Sequence, residues 1–237
     1  MLLTNPNQNR MNQCANCPFH QKDREQYLFD LHHKDLSHFS FKKNEIVFSE
    51  KQSLKGIYCI KEGTCLISKT CSNGRDQIIE LLSRGTLLGT RSVLCEEQTN
   101  LKAKVIIPMK GCFLPKIQFL KLLKEKPEFS LFLTKELARY IKKTDNKIIS
   151  MGQKKMHQRV AEVISSMSIH FNTHPDGYID IKLRREDLAN LVGIATESLI
   201  RVISYFQEKQ WISVKGRQIK IFAPDKLNQF SQGHLSK

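Results

Sequence analysis

The chain has 237 residues, enough for two modest domains with cores of their own, and 40% of them are hydrophobic, which excludes a wholly disordered polymer. Lys and Arg number 38 against 23 Asp and Glu, a net charge of +15 that favours polyanions; with no basic amphipathic helix to sit on an acidic membrane, nucleic acid is the expected partner. No apolar run approaches the roughly 20 residues of a membrane span, and the start Met1-Leu2-Leu3-Thr4-Asn5-Pro6-Asn7 lacks a basic, long-apolar export signal, so a cytoplasmic protein with no membrane partner is expected.

Residues 1–26 form a polar segment carrying Cys14 and Cys17, two thiols that burial does not explain. The chain holds seven cysteines, an odd number at irregular spacing, which argues against a disulfide scaffold. Residues 27–115 read as a β domain of short β-branched or alternating runs punctuated by glycine. Ile57-Tyr58-Cys59-Ile60, Cys65-Leu66-Ile67-Ser68 and Gln77-Ile78-Ile79-Glu80-Leu81-Leu82 are the predicted strands. Ser72-Asn73-Gly74-Arg75, between the last two, is a hairpin signal, because both central residues accept positive φ. Many short strands with frequent turns predict an antiparallel barrel or roll. Cys59 and Cys65 read as packing residues in it, while Cys71 and Cys95 receive no role.

Residues 116–152 read as a linker and a long helix. From Pro127 onward Leu133, Leu137, Ile141, Thr144, Ile148 and Met151 recur at steps of 4, 4, 3, 4 and 3, and none is acidic. A narrow seam of this kind favours pairing with a second copy, giving a homodimer; packing against its own β domain is the alternative. Residues 153–237 then carry a short apolar-periodic helix from about Met156 to His170, a turn at Pro175-Asp176-Gly177, and a longer motif from Ile181 to Phe222.

In that motif Arg185-Glu186-Asp187-Leu188-Ala189-Asn190-Leu191-Val192 predicts a helix burying Leu188, Leu191 and Val192. Gly193 supplies a tight turn, and Thr196 to Gln207 predicts a second helix burying Leu199, Val202, Ile203 and Phe206. Helix, glycine turn, helix is the arrangement that lowers a second helix into the DNA major groove. Trp211-Ile212-Ser213-Val214 and Gln218-Ile219-Lys220-Ile221 then flank Lys215-Gly216-Arg217, a two-stranded wing whose basic tip suits a phosphate contact. Glu197 and Arg201 stand one turn apart, opposite Leu199 and Phe206; Arg can bond guanine O6 and N7, and Glu can accept from cytosine N4.

The order and spacing of Gly56-Ile57-Tyr58-Cys59-Ile60-Lys61-Glu62-Gly63, Arg84-Gly85-Thr86-Leu87-Leu88-Gly89, the long helix and the C-terminal motif resemble the Crp/Fnr family of regulators from Cys14 to Phe222. The resemblance implies an α+β fold with an N-terminal antiparallel β-roll (cupin-like, of the cyclic-nucleotide-binding type), a long dimerisation helix and a C-terminal winged helix-turn-helix. It implies a dimeric transcription regulator that reads double-stranded palindromic DNA and works with RNA polymerase. It places Thr196, Glu197, Ile200 and Arg201 on the exposed face of the recognition helix, with Arg185, Lys215 and Arg217 as further DNA contacts. Arg184 and Ala195 depart from it, standing where family members often place Ser or Thr caps.

Two effector classes follow from the resemblance. Cyclic-nucleotide binders carry Arg-Ser about ten residues beyond the paired glycines; here those positions fall near Asn100 and Leu101, and Arg91-Ser92 comes too early, so cyclic nucleotide is not expected. The oxygen-sensing branch holds an iron–sulfur cluster on an N-terminal cysteine group and one distal cysteine. Cys14 and Cys17 match the first two positions, Cys112 the distal one, and Asp23 stands where a further thiolate is usual. The expectation is gating by oxygen, redox state or nitric oxide through a 4Fe-4S cluster on Cys14, Cys17, Asp23 and Cys112, with His20 as an alternative ligand. Zinc, thiol redox, an empty Cys-x-x-Cys and another small ligand in the roll remain open. No nucleophile–base pair or phosphate loop points to an enzyme.

Overall fold

The structure is a computed structural model, and its description covers residues 36–72 and 74–234. These fall into two compact units: one holds the residues up to Arg75 and Ile79–Lys135, the other Asp76–Ile78 and Glu136 onward.

The first unit contains β1 (Ser37–Phe41), β2 (Ile46–Phe48), β3 (Gly56–Thr70), most of β4 (Asp76–Leu82), β5 (Leu87–Leu88), the short helix α1 (Thr90–Leu94) and β6 (Lys102–Pro115). Helix α2 (Lys116–Glu125) follows, and the long helix α3 (Pro127–Gln153) starts here. The six-stranded sheet runs β1-β6-β3-β4, with β2 also on β6 and β5 on β3. The pairings β1·β6, β2·β6, β3·β5 and β3·β6 are antiparallel. Two of the expected strands, 57–60 and 65–68, are the two ends of one 15-residue strand; register shifts against β6 between Ile60 and Cys65 break its alternation, which is why the sequence reads as two pieces.

The hairpin joining β3 to β4 lies where Asn-Gly placed it: Cys71 N–H donates to Arg75 O at 2.8 Å and Gly74 N–H to Cys71 O at 2.9 Å. Val47, Phe48, Ile60, Leu88, Val105 and Met109 pack inside with Cys65 and Ile67, and Phe39, Phe41 and Tyr58 lean on them. Cys65 has no solvent exposure and Cys59 almost none, as expected of packing residues, while Cys71 and Cys95 are exposed. Burial pushes the Cys65 thiol up to about 12, helped by the charge of Glu80.

Helix α3 changes character along its length. Leu133 of the expected seam is buried inside its own chain along with Phe129, whose ring meets Phe119 edge-on at 6.2 Å. Leu133 is therefore spent on intramolecular packing and is not an exposed seam position. Leu137 is half-buried, and Ile141, Thr144, Ile148 and Met151 are exposed, Ile141 at 61% and Ile148 at 64%. Ile149 and Tyr140 are exposed too, so the apolar surface is wider than the seam alone.

The second unit contains α4 (Met156–His170), α5 (Arg185–Val192), α6 (Thr196–Glu208), β7 (Ile212–Lys215), β8 (Gln218–Ile221) and α7 (Pro224–Ser231). A core of Val160, Ile164, Leu188, Leu199, Val202 and Phe206 joins the three helices α4 to α6, each of these side chains at most 1% exposed. Trp211 stacks on Phe206 at 5.6 Å and meets Phe230 at 5.3 Å, tying α6, the wing and α7 together. Among the described residues no helix is long and apolar enough to cross a membrane.

Candidate nucleic-acid interface

Gly193 ends α5 in the left-handed region, at φ 77, where a Cβ would be strained. Its N–H and that of Ile194 both bond Ala189 O, at 2.8 and 3.1 Å, closing the helix as a left-handed cap does. The chain then re-enters helix after Ala195, so α6 starts within three residues of the end of α5. Leu199, Val202, Ile203 and Phe206 are buried, which fixes the rotation of α6 about its axis. The opposite face is left open: Glu197 and Arg201 are exposed, Ile200 is 48% exposed, and Thr196 is half-buried at the start.

No ion pair joins Glu197 to Arg201; Arg201 Nη2 instead donates to Ser198 Oγ at 3.2 Å, which leaves the carboxylate of Glu197 unengaged by its neighbour. Neither Arg184 nor Ala195 supplies a side-chain cap. At α5 the loss is offset differently: Arg184 grips Asp187 through Nε–Oδ2 at 2.9 Å and Nη2–Oδ1 at 2.8 Å. That carboxylate, in the first turn, also suits the positive end of the helix dipole, and hydrogen bonding to it raises the Arg184 guanidinium above its ordinary range. At α6 the first-turn acid is Glu197 itself.

The wing is a hairpin whose register pairs Lys215 with Gln218, leaving Gly216 and Arg217 at the tip. Gly216 takes φ 60, as a two-residue II′ hairpin turn requires of its first central residue. Lys215 and Arg217 are exposed. Tyr178 and Ile179 brace the other strand: Ile179 N–H donates to Ile219 O at 2.9 Å, and Lys220 Nζ donates to Asp176 O at 2.8 Å. Arg185, expected at the DNA, is half-buried, and its Nη2 donates to Gly216 O at 2.9 Å.

Of the residues expected at a cluster, Cys14, Cys17, His20 and Asp23 lie outside the described residues. Cys112 is half-buried on β6, opposite His38 of β1 and Cys59 of β3. Its Sγ lies 3.7 Å from His38 Nδ1. Among the described residues no group of three His, Cys, Asp or Glu side chains could hold a metal ion. At the edge of the roll Arg91 Nη2 bonds Asn100 Oδ1, and Thr90 Oγ1 is buried with no partner. Sequence spacing alone separated Arg91 from Asn100; the fold brings them together.

Residues 38–126 match the cyclic nucleotide-binding domain model, and residues 158–230 match the Crp-like helix-turn-helix domain model. The chain is 22% identical over 196 residues to the CRP-like cAMP-activated global transcriptional regulator of Mycobacterium tuberculosis, covering 82% of this chain and 88% of the relative. It is 23% identical over 194 residues to the global nitrogen regulator of Nostoc, covering 80% and 87%. The solved structure of FixK2 from Bradyrhizobium japonicum has the same fold, with a TM-score of 0.74 at 21% identity, covering 82% of this chain and 96% of that one. With both domain models matched in order over most of its length, the chain belongs to the Crp/Fnr family of DNA-binding transcriptional regulators.

Proposed function

We propose that this regulator reads a palindromic duplex as a homodimer through the open face of α6. The observation that carries the reading is the rotation of α6: its apolar side is sealed in the core while Glu197, Ile200 and Arg201 face out beside a basic wing. Arg201 and Glu197 are suited to a G·C pair, Thr196 and Ile200 to neighbouring backbone or methyl groups, and Lys215 and Arg217 to phosphates. The exposed apolar stretch from Ile141 to Met151 supplies a surface for the second copy, and two recognition helices about a dyad suit half-sites roughly one helical turn apart. RNA polymerase is the further partner proposed. Selection from random-sequence duplexes tests this: a palindrome with a G·C pair in each half-site is expected, and an asymmetric or absent consensus refutes it.

For the signal we propose oxygen, redox state or nitric oxide acting through Cys14, Cys17 and Cys112, with Asp23 or His20 as the further ligand. Supporting it are the partial exposure of Cys112 and its place opposite β1, the strand into which the N-terminal segment leads. The 21 residues from Cys17 to His38 can span up to about 70 Å, so the covalent tether does not prevent the approach. A 4Fe-4S cluster held there would supply an oxygen-labile redox group. Anaerobic purification followed by an absorption spectrum with iron, zinc and sulfide analysis tests it; a visible chromophore with inorganic sulfide is expected, and zinc alone refutes the cluster.

One observation favours a second reading, a small anionic ligand in the roll. Arg91 reaches Asn100, the position at which cyclic-nucleotide binders of the family carry arginine, and the unpartnered Thr90 hydroxyl lies beside it in sequence. A rise in Tm with cyclic nucleotide that Arg91→Ala removes would establish this reading.

A further inference from the structure

Arg185 is the first residue of α5, and its only acceptor given by the fold lies 31 residues further along the chain, at the wing tip: Nη2 donates to Gly216 O at 2.9 Å. Its Nη1 is buried and has no hydrogen-bond partner. The guanidinium is half-withdrawn from solvent, which pulls its pKa below the ordinary arginine value. Lys215, Arg217 and Arg201, by contrast, are all exposed. An arginine serving only as a phosphate contact would keep its donors solvated until DNA arrived; this one gives up solvent to hold a backbone carbonyl, and leaves one nitrogen unmatched in doing so.

The wing needs such a hold. It is a hairpin of two four-residue strands, a size that is marginal by itself, and it is braced at its base by Tyr178 and Ile179. At the tip, a Cβ on Gly216 would meet nothing within 4 Å, so the turn packs no neighbour on that side. The Arg185 bond is the link printed by the fold between the tip and the helix-turn-helix.

We propose that Arg185 is a positioning residue for the wing: it fixes Lys215 and Arg217 relative to α5 and α6 so that wing and recognition helix reach the same stretch of duplex, and it does not act as an independent phosphate contact. The proposal rests on the wing and α6 forming the DNA interface. It makes wing contacts conditional on Arg185.

A double-mutant cycle tests this on the full-length protein with a duplex obtained by selection. Arg185→Met keeps the aliphatic stem and the helix propensity while removing every donor. The expected result is that Arg217→Ala weakens binding in the unsubstituted chain but adds less than about twofold in the Arg185→Met background. The slope of log K against log salt should also fall in Arg185→Met by about 1.8, the loss of two phosphate contacts at about 0.9 each. Independent contacts, with multiplicative losses and a slope change near 0.9, overturn the proposal. A silent Arg217→Ala in the unsubstituted chain overturns the wing's place in the interface, and the proposal with it.

A measurement without DNA separates positioning from contact. Hydrogen exchange in the wing, residues 212–221, should rise at least severalfold in Arg185→Met while α4 and α6 stay protected. Arg185→Gln, a milder change, should give an intermediate rise if the first variant fails to fold. An unchanged wing in a folded variant refutes the role.

Discussion

Two arginines of the helix-turn-helix illustrate how residue type leaves the role undetermined. Arg201 is exposed on α6 and lightly held by Ser198, so its guanidinium can reorient towards a base edge at little cost. Arg201→Ala should cost about 1–3 kcal/mol of discrimination between the selected duplex and one changed at the G·C pair, measured by competition binding. Lys215→Ala should weaken both duplexes alike, because a phosphate carries no sequence information. Cys65 makes the opposite case, a reactive group silenced by its surroundings. Its folded pKa is raised from the ordinary 9.0 to about 12 by burial, so the folded state favours the protonated thiol. That contribution is fully present below pH 9.0 and is lost as pH rises from there towards 12. The unfolding free energy of the native chain relative to Cys65→Val should fall across this window and stay level below it; a level difference throughout would refute the shift. In native protein Cys71 and Cys95 should react with a thiol reagent and Cys65 should not, as peptide mass spectrometry would show.

At the scale of elements, α3 is one helix with two kinds of environment. Phe129 and Leu133 are buried, whereas Ile141, Ile148 and Ile149 stand open in a single copy of the chain. Leu133→Ala should therefore cost about 2–5 kcal/mol in the unfolding of the roll unit, whatever the oligomeric state. Ile141→Asp should leave that unfolding nearly unchanged and shift the protein to monomer in sedimentation, with loss of palindrome binding. A Leu133 variant that only dissociates, or an Ile141 variant that only unfolds, would reverse the assignment of the two halves. Asp145, exposed one turn beyond Ile141, adds negative charge near the twofold seam, so dimerisation should strengthen when it is replaced by Asn. Capping sets the other element-level expectation. Ala195 gives α6 no side-chain cap, so Ala195→Ser should add about 0.5–2 kcal/mol of stability, read as a rise in Tm.

For the whole molecule, the net charge of +15 sets the background against which specificity operates. Binding to any duplex should weaken steeply with salt, each neutralised phosphate contributing about 0.9 to the slope, while the preference for the palindrome survives. The cysteine reading is also tested on the whole chain. Cys14→Ser, Cys17→Ser and Cys112→Ser should each remove the chromophore and the oxygen dependence of DNA binding, and Cys71→Ser, exposed at the β3–β4 turn, should leave both intact. Colourless anaerobic protein with all four variants regulating normally would move the search for the signal to Arg91, Asn100 and Thr90 in the roll.

By itself the sequence determined the helices at 156–170, 185–192 and 196–208, the β3–β4 turn, the wing and the open face of α6. Each is specified within a window of a dozen residues: apolar steps of three and four orient a helix, Gly193 ends one, and Gly216 closes a hairpin. What only the tertiary structure decided depends on residues far apart in the chain. The bulges that merge two apparent strands into β3 are set by β6, some 40 residues on. Leu133 leaves the seam because its own unit buries it, a fact that periodicity, which shows a stripe but not its partner, does not contain. Arg91 and Asn100 meet across a loop, and Arg184 stands in for a missing cap by gripping Asp187. Arg185 looks like one more basic residue at a DNA surface until the wing folds back 31 residues later and offers it the carbonyl of Gly216. A side chain's donors go to whichever acceptor the fold brings within about 3 Å, and that acceptor is chosen by the path of the whole chain.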